Sequence, residues 1–405
     1  MTKSSFYSSF LILLLVLVLF SGLLQVFFSV FSYADEIVLL ILIIWTVNFC
    51  KIPKEIIKIF FLICMFSAYS LFQSIYSPYF RGVTLTILDS ILLFKSIFYF
   101  LIFACVPQKI SSIVLARLGM VATFSIMLFF ITYVLNLIFN YIVPFDYRLG
   151  IPSYSWFFSN PGEFLNIVFI MHVLTIMSGS TRNFGVITYI AFFLQLTALR
   201  FKGFVLGVFF LFLLALLRED KKISFDYSEV LKRRLIYVSP ILIPVLFLVG
   251  YGQFEHYFLG ELTPRLFLVI SSFSVAQDYL PFGSGGGTFG SAIANAFYSP
   301  LYIDLGFDGS YGLGDVDDDA NFLSDQFWPM IIAQYGFLGL FSLLYILFSI
   351  YSVVRKKIYT NRRLIISFYA LFFSFLLSTF GSAIMIGFLG CFMFGLFGLM
   401  YAAQK

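Results

Sequence analysis

Arg265 and its neighbours form the pattern in this sequence that most clearly indicates chemistry on an anion. Thr263 followed by Pro264 is typical of an N-cap and a first-turn proline, so a helix is predicted from 264 to about 278 with Arg265 at its second position. Backbone N–H groups and the positive end of the helix dipole favour anions at such a terminus. Arginine adds two parallel donors. The pattern therefore predicts a cradle for phosphate or pyrophosphate.

Arg200 is the second candidate for contact with an anion. It lies in the segment LTALRFKG, between two apolar runs separated by only a few residues, which predicts a tight hairpin at a membrane surface. A lower dielectric near that surface would strengthen the attraction between the guanidinium and an anionic headgroup. Neither arginine is specific by itself, but two of them on one face indicate an anion-binding face.

Several side chains of the long polar region could act as a proton acceptor. They are Asp278, Asp325, Glu255, Glu261 and His256. Each of these residue types is more often a solvated or paired surface group than a catalytic one. His172, in contrast, lies in the middle of an apolar run and is predicted to be a hydrogen-bonded core histidine.

The acidic run from Asp315 to Asp319 was compared with metal-binding patterns. It places carboxylates at positions 1, 3 and 5 of a calcium-type loop, but Ala320 and Gln326 stand where that loop needs glycine and glutamate. The run also contains the D-x-D spacing with which some glycosyltransferases hold a metal. A solvated acidic loop is the favoured interpretation, so we predict no metal site and no cofactor.

The composition indicates the type of fold that positions these residues. The chain has 405 residues, of which 61% are apolar and only 11% are charged, whereas soluble domains carry about 25% charged residues. The apolar residues form runs of about 20, the length that crosses a bilayer as a helix. Continuous runs rather than alternating strands favour a helix bundle over a barrel. The four cysteines lie in or beside these runs and indicate no disulfide framework.

The predicted fold is an all-α membrane protein with about twelve transmembrane helices and one large outer loop that contains a helix. The first apolar run is interpreted as a retained helix because it is too long for a signal peptide. Residues 1–251 hold nine spans and an outer loop at 140–162, residues 252–328 form the large loop, and residues 329–405 hold three spans. The predicted spans are 9–31, 37–50, 57–77, 84–106, 113–139, 163–179, 184–199, 203–217, 235–251, 329–353, 364–380 and 383–402.

The distribution of lysine and arginine predicts which side each loop faces. With both termini in the cytoplasm, 19 of the 25 basic residues fall on the cytoplasmic side, as the positive-inside rule requires. Topology does not require the few cations that remain outside, so these become candidates for substrate contact: Arg81, Arg148, Arg200, Lys202 and Arg265.

Asp89 and Lys95 lie within one predicted span, about 120° apart around the helix, so Lys95 needs a partner on another helix or a wet cavity.

Three stretches of the chain together are similar to one known family. The first is Arg148 leading to Ser159-Asn160-Pro161, ahead of a predicted span, and the second is the segment from Leu196 to Arg200. The third is the most specific and contains Arg265, Pro281 to Phe289, Tyr298-Ser299-Pro300, Ser324 to Pro329 and Gln334-Tyr335-Gly336. These stretches resemble the Wzy-type O-antigen and capsule polymerases, which are relatives of the O-antigen ligases. The second resembles the family's T-x-S-R hairpin, with Leu199 in place of serine.

The resemblance implies a GT-C-like, inverting and metal-independent glycosyltransferase in the bacterial inner membrane, with a periplasmic active site. It would transfer a growing glycan from undecaprenyl pyrophosphate to a lipid-linked repeat unit. Arg200 and Arg265 would stabilise the leaving pyrophosphate. Asp325, where the ligases carry histidine, would be the base, with Asp278 second. The implied substrate-binding set is Arg148, Lys202, Arg81, His256, Asn160 and Tyr298.

The resemblance also implies partners and alternatives. The expected partners are undecaprenyl-pyrophosphate-linked oligosaccharides, membrane lipid and a chain-length-regulating co-polymerase, and no nucleic acid is expected. An O-antigen ligase is one alternative, although Asp325 in place of histidine argues against it. A flippase for lipid-linked oligosaccharides is the other, although the 77-residue outer loop predicted at 252–328 argues against alternating access.

Overall fold

The computed structural model describes residues 3–49, 52–148, 150–179, 184–216, 263–314 and 321–404. Those residues form α-helices, three short 3₁₀ helices and one small antiparallel hairpin, in which β1 (Tyr147–Arg148) pairs with β2 (Ile151–Pro152). The helices are α1 (Lys3–Leu19), α2 (Ser21–Phe27), α3 (Ala34–Phe49), α4 (Lys54–Ile75), α5 (Val83–Ala104), α6 (Gln108–Phe139), α7 (Pro161–Ser178), α8 (Phe184–Thr197), α9 (Phe201–Leu216), α10 (Pro264–Asp278), α11 (Ala292–Ala296), α12 (Pro300–Asp304), α13 (Phe327–Ile358), α14 (Arg362–Thr379) and α15 (Phe388–Ala402).

The all-α membrane class is confirmed. Among the described residues, seven helices are long and apolar enough to cross a membrane, or eight if the bent pair α1–α2 counts as one span. Three shorter apolar helices, Gly185–Thr197, Phe201–Leu214 and Phe388–Ala402, correspond to further predicted spans. The predicted span at 235–251 lies outside the described residues, so the count of twelve stays a prediction.

The first predicted span, 9–31, was wrong as a single helix. Two helices replace it, α1 and α2, which meet at an angle of 61°. Ser21 and Gly22 lie at the break, and serine–glycine pairs are a common cause of sharp kinks. A Cβ atom at Gly22 would collide with the carboxylate of Glu163 and the ring of Phe388. The glycine therefore lets the start of α7 and the start of α15 approach the bend closely.

Many of the basic residues of the described chain gather at one end of the bundle, called the basic end here. Arg355, Lys356 and Lys357 lie in the last turn of α13, and α14 begins at Arg362. The Lys357 ammonium lies 5.7 Å from the ring centre of Tyr401 at the end of α15. The ends of these helices therefore meet, as the positive-inside assignment requires. That this end faces the cytoplasm stays a prediction.

The helix predicted in the large loop is confirmed as α10. The Thr263 side chain accepts the N–H of Leu266 at 3.4 Å, which is the predicted N-cap. Large apolar side chains form a second core beneath the loop, separate from that of the bundle: Leu268, Val275, Phe289, Leu301, Tyr302, Phe307, Leu313 and Leu323. Ala333 of α13 belongs to the same cluster. The described part of the loop is thus packed against the bundle through α13.

Lys95 finds its partners on another helix. Its ammonium lies 2.7 Å from Oδ2 of Asp35 and also binds Glu36, both in the first turn of α3. The Lys95 and Asp35 side chains are only 8% and 5% exposed. The predicted need for a partner on a neighbouring helix is therefore met by an ion-pair cluster that ties α3 to α5.

Lys95→Met should lower the thermal stability of the purified protein strongly. Removing one member of a buried ion pair costs about 3–5 kcal/mol, because the remaining charge stays buried without compensation. The measurement is the melting temperature in detergent. Lys58→Met is the matched control, since Lys58 is exposed on α4 and its only described hydrogen bond, to Tyr345, is 3.5 Å long. Equal melting temperatures for the two variants would contradict the structural role of the cluster.

Candidate functional site

Arg265 and Asp325, predicted separately as anion binder and base, form an ion pair. Nη2 of Arg265 donates to Oδ2 of Asp325 at 2.7 Å. Arg265 lies in the first turn of α10, while Asp325 lies two residues before α13, with its own N–H bonded to the carbonyl of Phe322 at 3.1 Å. The helix predicted inside the large loop is therefore joined at these two residues to the segment that leads into α13.

The pair is open enough for a substrate to reach it. The Arg265 and Asp325 side chains are 32% and 37% exposed. An ionised carboxylate has about four lone-pair sites, so the bond to Arg265 leaves Asp325 able to accept a proton. The guanidinium offers five N–H donors in a planar fork. Side by side at a helix N-terminus, the two groups can bind an anion and accept a proton at one place.

Arg200 lies at the tight hairpin that the sequence predicted between α8 and α9. Leu199 adopts a left-handed conformation with φ of 48°, and the N–H of Gly203 bonds to the carbonyl of Arg200 at 2.8 Å. Nη1 of Arg200 lies 3.3 Å from Oδ2 of Asp146, and its guanidinium lies 5.7 Å from the ring centre of Phe145. The Arg200 side chain is 20% exposed. A carboxylate and an aromatic face therefore hold this arginine at the surface.

The outer loop at 140–162 packs directly on this hairpin. The N–H of Tyr154 donates to the carbonyl of Thr197 at 3.0 Å, and the hydroxyl of Ser153 donates to the carbonyl of Ala198 at 2.9 Å. Burial raises the pKa of the Tyr154 phenol, which therefore stays neutral. Asp146 thus supplies the nearby negative charge from a loop that is anchored to the hairpin just before Leu199.

Both arginine–aspartate pairs lie at the same end of the bundle, opposite the basic end. The loop at 140–162 leads directly into α7, whose Glu163 lies against Gly22 beside Phe388 of α15. Trp328, at the start of α13, donates to Thr379 at the end of α14, at 3.0 Å, and a short connection leads from there to α15. The starts of α7, α13 and α15 therefore share one end, and the two loops with their arginines share it with them.

Three of the predicted substrate-binding residues make contacts within the protein. Arg81 donates through Nη1 and Nη2 to the carbonyls of Phe297 and Tyr298, the latter at 2.9 Å. The Tyr298 hydroxyl donates to Asp308 at 2.6 Å. Asn160 caps α7 by accepting the N–H of Glu163 at 2.8 Å. These contacts give each of the three residues a structural role. The assignment of the residues to substrate binding stays a prediction.

The remaining predicted site residues are not partners in the Arg265–Asp325 ion pair or lie outside the described residues. Asp278 is the exposed last residue of α10, about 20 Å along the helix from Arg265. Lys202 is partly buried in the first turn of α9, and the backbone of Arg148 lies in β1. His256, Glu255, Glu261 and the run from Asp315 to Asp319 lie outside the described residues. Within the described ranges, no group of three or more His, Cys, Asp or Glu residues is placed to hold a metal ion.

Sequence reasoning missed Asp146 and Phe145, the partners of Arg200. Their signal was weak but present, because an acidic residue and an aromatic residue stand in the loop predicted on the same side as Arg200. His172 was interpreted correctly as a core residue: its Nδ1 lies 3.2 Å from Nε2 of Gln195 and its ring packs edge-on against Phe210.

No family model matches this chain, and no curated protein matches it in sequence.

Proposed function

We propose that this protein is a polysaccharide polymerase that transfers a growing glycan from undecaprenyl pyrophosphate to a lipid-linked repeat unit. The observation that carries the proposal is the Arg265–Asp325 pair, a partly exposed guanidinium and carboxylate 2.7 Å apart at the N-terminus of α10. Pyrophosphate departure needs donors where negative charge develops. Attack by a hydroxyl needs a proton acceptor within reach. Both requirements meet at this pair.

The proposed reaction is a single inverting displacement. A sugar hydroxyl of the acceptor attacks the anomeric carbon of the donor glycan and forms the new glycosidic bond. The bond between that carbon and the pyrophosphate oxygen breaks, and its electron pair leaves with the lipid pyrophosphate. Asp325 takes the hydroxyl proton, and Arg265 with Arg200 stabilises the charge on the leaving pyrophosphate. The side chains of this chain thus account for both proton and charge.

Both arginine pairs lie opposite the basic end, which supports placing the reaction at the periplasmic face of the bacterial inner membrane. Arg148 and Lys202, which accompany Arg200 in the chain, are the cations proposed to bind the headgroup of the second lipid-linked substrate. The proposed partners remain these substrates, membrane lipid and a co-polymerase that regulates chain length. No nucleic acid enters the proposal.

The test is to mix the purified full-length protein with undecaprenyl-pyrophosphate-linked repeat units alone in detergent. A ladder of products that differ by one repeat unit is expected from a polymerase. A ligase would give product only after addition of lipid A core. A flippase would give none in detergent but would move the lipid across vesicle membranes. Either of those results in place of a ladder would overturn the proposal.

A second arm of that assay tests independence from metal. Excess EDTA is expected to leave the ladder unchanged, because the two arginines supply the positive charge that a divalent metal would otherwise provide. Loss of activity that magnesium or manganese restores would contradict this, and would direct attention back to the acidic run from Asp315 to Asp319.

A further inference from the structure

The glycine motif, residues 281–289, connects the end of α10 to the interior of the bundle. Helix α13 is interrupted at Gly336, whose φ and ψ of 61° and −168° are not helical. Because the helix is interrupted, the carbonyls of Ala333 and Gln334 can accept hydrogen bonds from outside it. They accept the N–H groups of Ser284 and Gly285 at 2.8 and 2.9 Å. The broken helix thereby provides the acceptors on which the motif docks.

Only glycine fits where the motif crosses the break. A Cβ atom at Gly283 would collide with the backbone of Gly336, and one at Gly336 would collide with the backbone of Pro281. Both residues also have positive φ, 79° and 61°. Glycine at these two positions therefore lets the two backbones approach each other closely. The sequence alone did not reveal this structural role of the motif.

Asp89 supplies the carboxyl group at the centre of this contact. It lies in α5, is 4% exposed, and accepts through Oδ2 the N–H of Gly287 at 3.0 Å and the hydroxyl of Tyr335 at 2.8 Å. Neutral side chains add further hydrogen bonds to the motif. Tyr69 donates to the carbonyl of Phe282, and Ser77 donates to the carbonyl of Ser284. Ser74 accepts the N–H of Gly286 at 2.8 Å, and Gln334 donates to the carbonyl of Phe289 at 2.6 Å.

A buried carboxyl group is an uncommon choice for this position, the seventh of the 22 residues of α5. A buried polar group costs free energy unless it is hydrogen-bonded. The two donors to Asp89 come from both of the elements that meet here, Gly287 from the motif and Tyr335 from α13. One side chain of α5 therefore joins the motif to α13.

The part of the chain that needs firm placement is α10. Its 15 residues span about 22 Å. Its C-terminal end leads within a few residues into the motif held by Asp89. Its N-terminal end is joined through Arg265 to Asp325, just before α13. The helix is thus attached at both ends beside the first turns of α13, and the attachment at the motif fixes the direction in which Arg265 is presented.

We propose that Asp89 is a positioning residue for the reaction: it anchors the glycine motif in the bundle and thereby aligns α10 and Arg265 with the bound pyrophosphate. The proposal rests on the proposed function for its chemical step, but the anchoring can be measured without it. Catalytic groups must be held within about 0.5 Å of their productive geometry. Loosening the anchor should therefore lower kcat while leaving KM nearly unchanged.

The test compares Asp89→Asn and Asp89→Ala by hydrogen–deuterium exchange of the purified protein. Amide exchange in peptides covering 282–290 is expected to accelerate at least tenfold in Asp89→Ala and less in Asp89→Asn, which keeps one acceptor oxygen. Exchange in α15 should not change. Ser90→Ala is the matched control, as the buried neighbour of Asp89 on the same helix. Unchanged exchange at 282–290 in Asp89→Ala, or acceleration spread equally over all helices, would overturn the anchor.

Turnover supplies the second readout. Asp89→Asn is expected to lower kcat about tenfold with little change in KM, and Tyr335→Phe should add little to it, because both variants weaken the same contact. Local loosening at 282–290 with normal kcat in Asp89→Asn would overturn the positioning role. If the wild-type protein makes no ladder, the proposed function fails, and the exchange experiment still decides whether Asp89 anchors α10.

Discussion

Arg265→Ala and Arg200→Ala are each expected to abolish polymer formation, while the amount of folded protein in the membrane should stay near that of the wild type. Loss of one preorganised donor to a developing anion costs about 10²–10³ in rate. The proposed site uses both arginines, so either substitution should remove such a donor. Neither side chain belongs to the apolar core of the bundle or to that of the large loop. Their removal should therefore leave the packed bundle intact.

The measurement is the product ladder from purified variants at matched protein concentration, with membrane abundance determined in parallel. Arginine to lysine should restore little activity, because a point charge cannot replace a planar fork of donors. Arg355→Ala is the matched control, since Arg355 lies at the basic end of α13. A ladder of normal length from either alanine variant would remove that arginine from the mechanism.

A charge exchange separates a structural from a chemical role for the Arg265–Asp325 pair. The double variant Arg265→Asp with Asp325→Arg can restore the ion pair but puts the cation on the wrong element. It is expected to be folded and inactive, because the carboxylate would then stand at the helix N-terminus that should receive the pyrophosphate. Recovery of the full ladder in the double variant would show that the pair only holds the loop to α13.

Asp325→Asn is expected to lower turnover by about 10²–10⁴-fold, the usual contribution of a positioned general base. The replacement is nearly isosteric. The ion pair that it removes has side chains 32% and 37% exposed, and exposed pairs contribute only about 0–1 kcal/mol to stability. The protein should therefore fold and bind substrate normally. The expected result is a lower kcat with an almost unchanged KM.

Asp278→Asn is the matched control for this prediction, because Asp278 lies at the opposite end of α10 from Arg265. It should polymerise at close to the wild-type rate. His256→Ala completes the set of predicted bases. Normal turnover in Asp325→Asn together with loss of turnover in Asp278→Asn or His256→Ala would place the base elsewhere in the large loop.

The features that the sequence determined by itself depend on composition or on a few adjacent residues. Apolar runs predicted a membrane helix bundle, because backbone N–H and C=O groups in lipid must form their hydrogen bonds within the protein. Thr263 and Pro264 predicted the start of α10, and the observed cap confirms it. The short spacing around Arg200 predicted a hairpin, which is also observed. In each case the physical cause acts within one turn of chain or along one helix, so a single sequence contains it.

Only the tertiary structure decided which of these residues meet. Asp89 and Tyr335 are separated by 246 residues and Asp89 and Gly287 by 198, and no local pattern states that a carboxylate in one helix will bind a glycine motif and a tyrosine so far along the chain. The same holds for Lys95 with Asp35 and for Arg200 with Asp146. Burying a charged group is costly unless it is paired, so the sequence could predict that Lys95 needs a partner. The identity of the partner depended on how the helices pack.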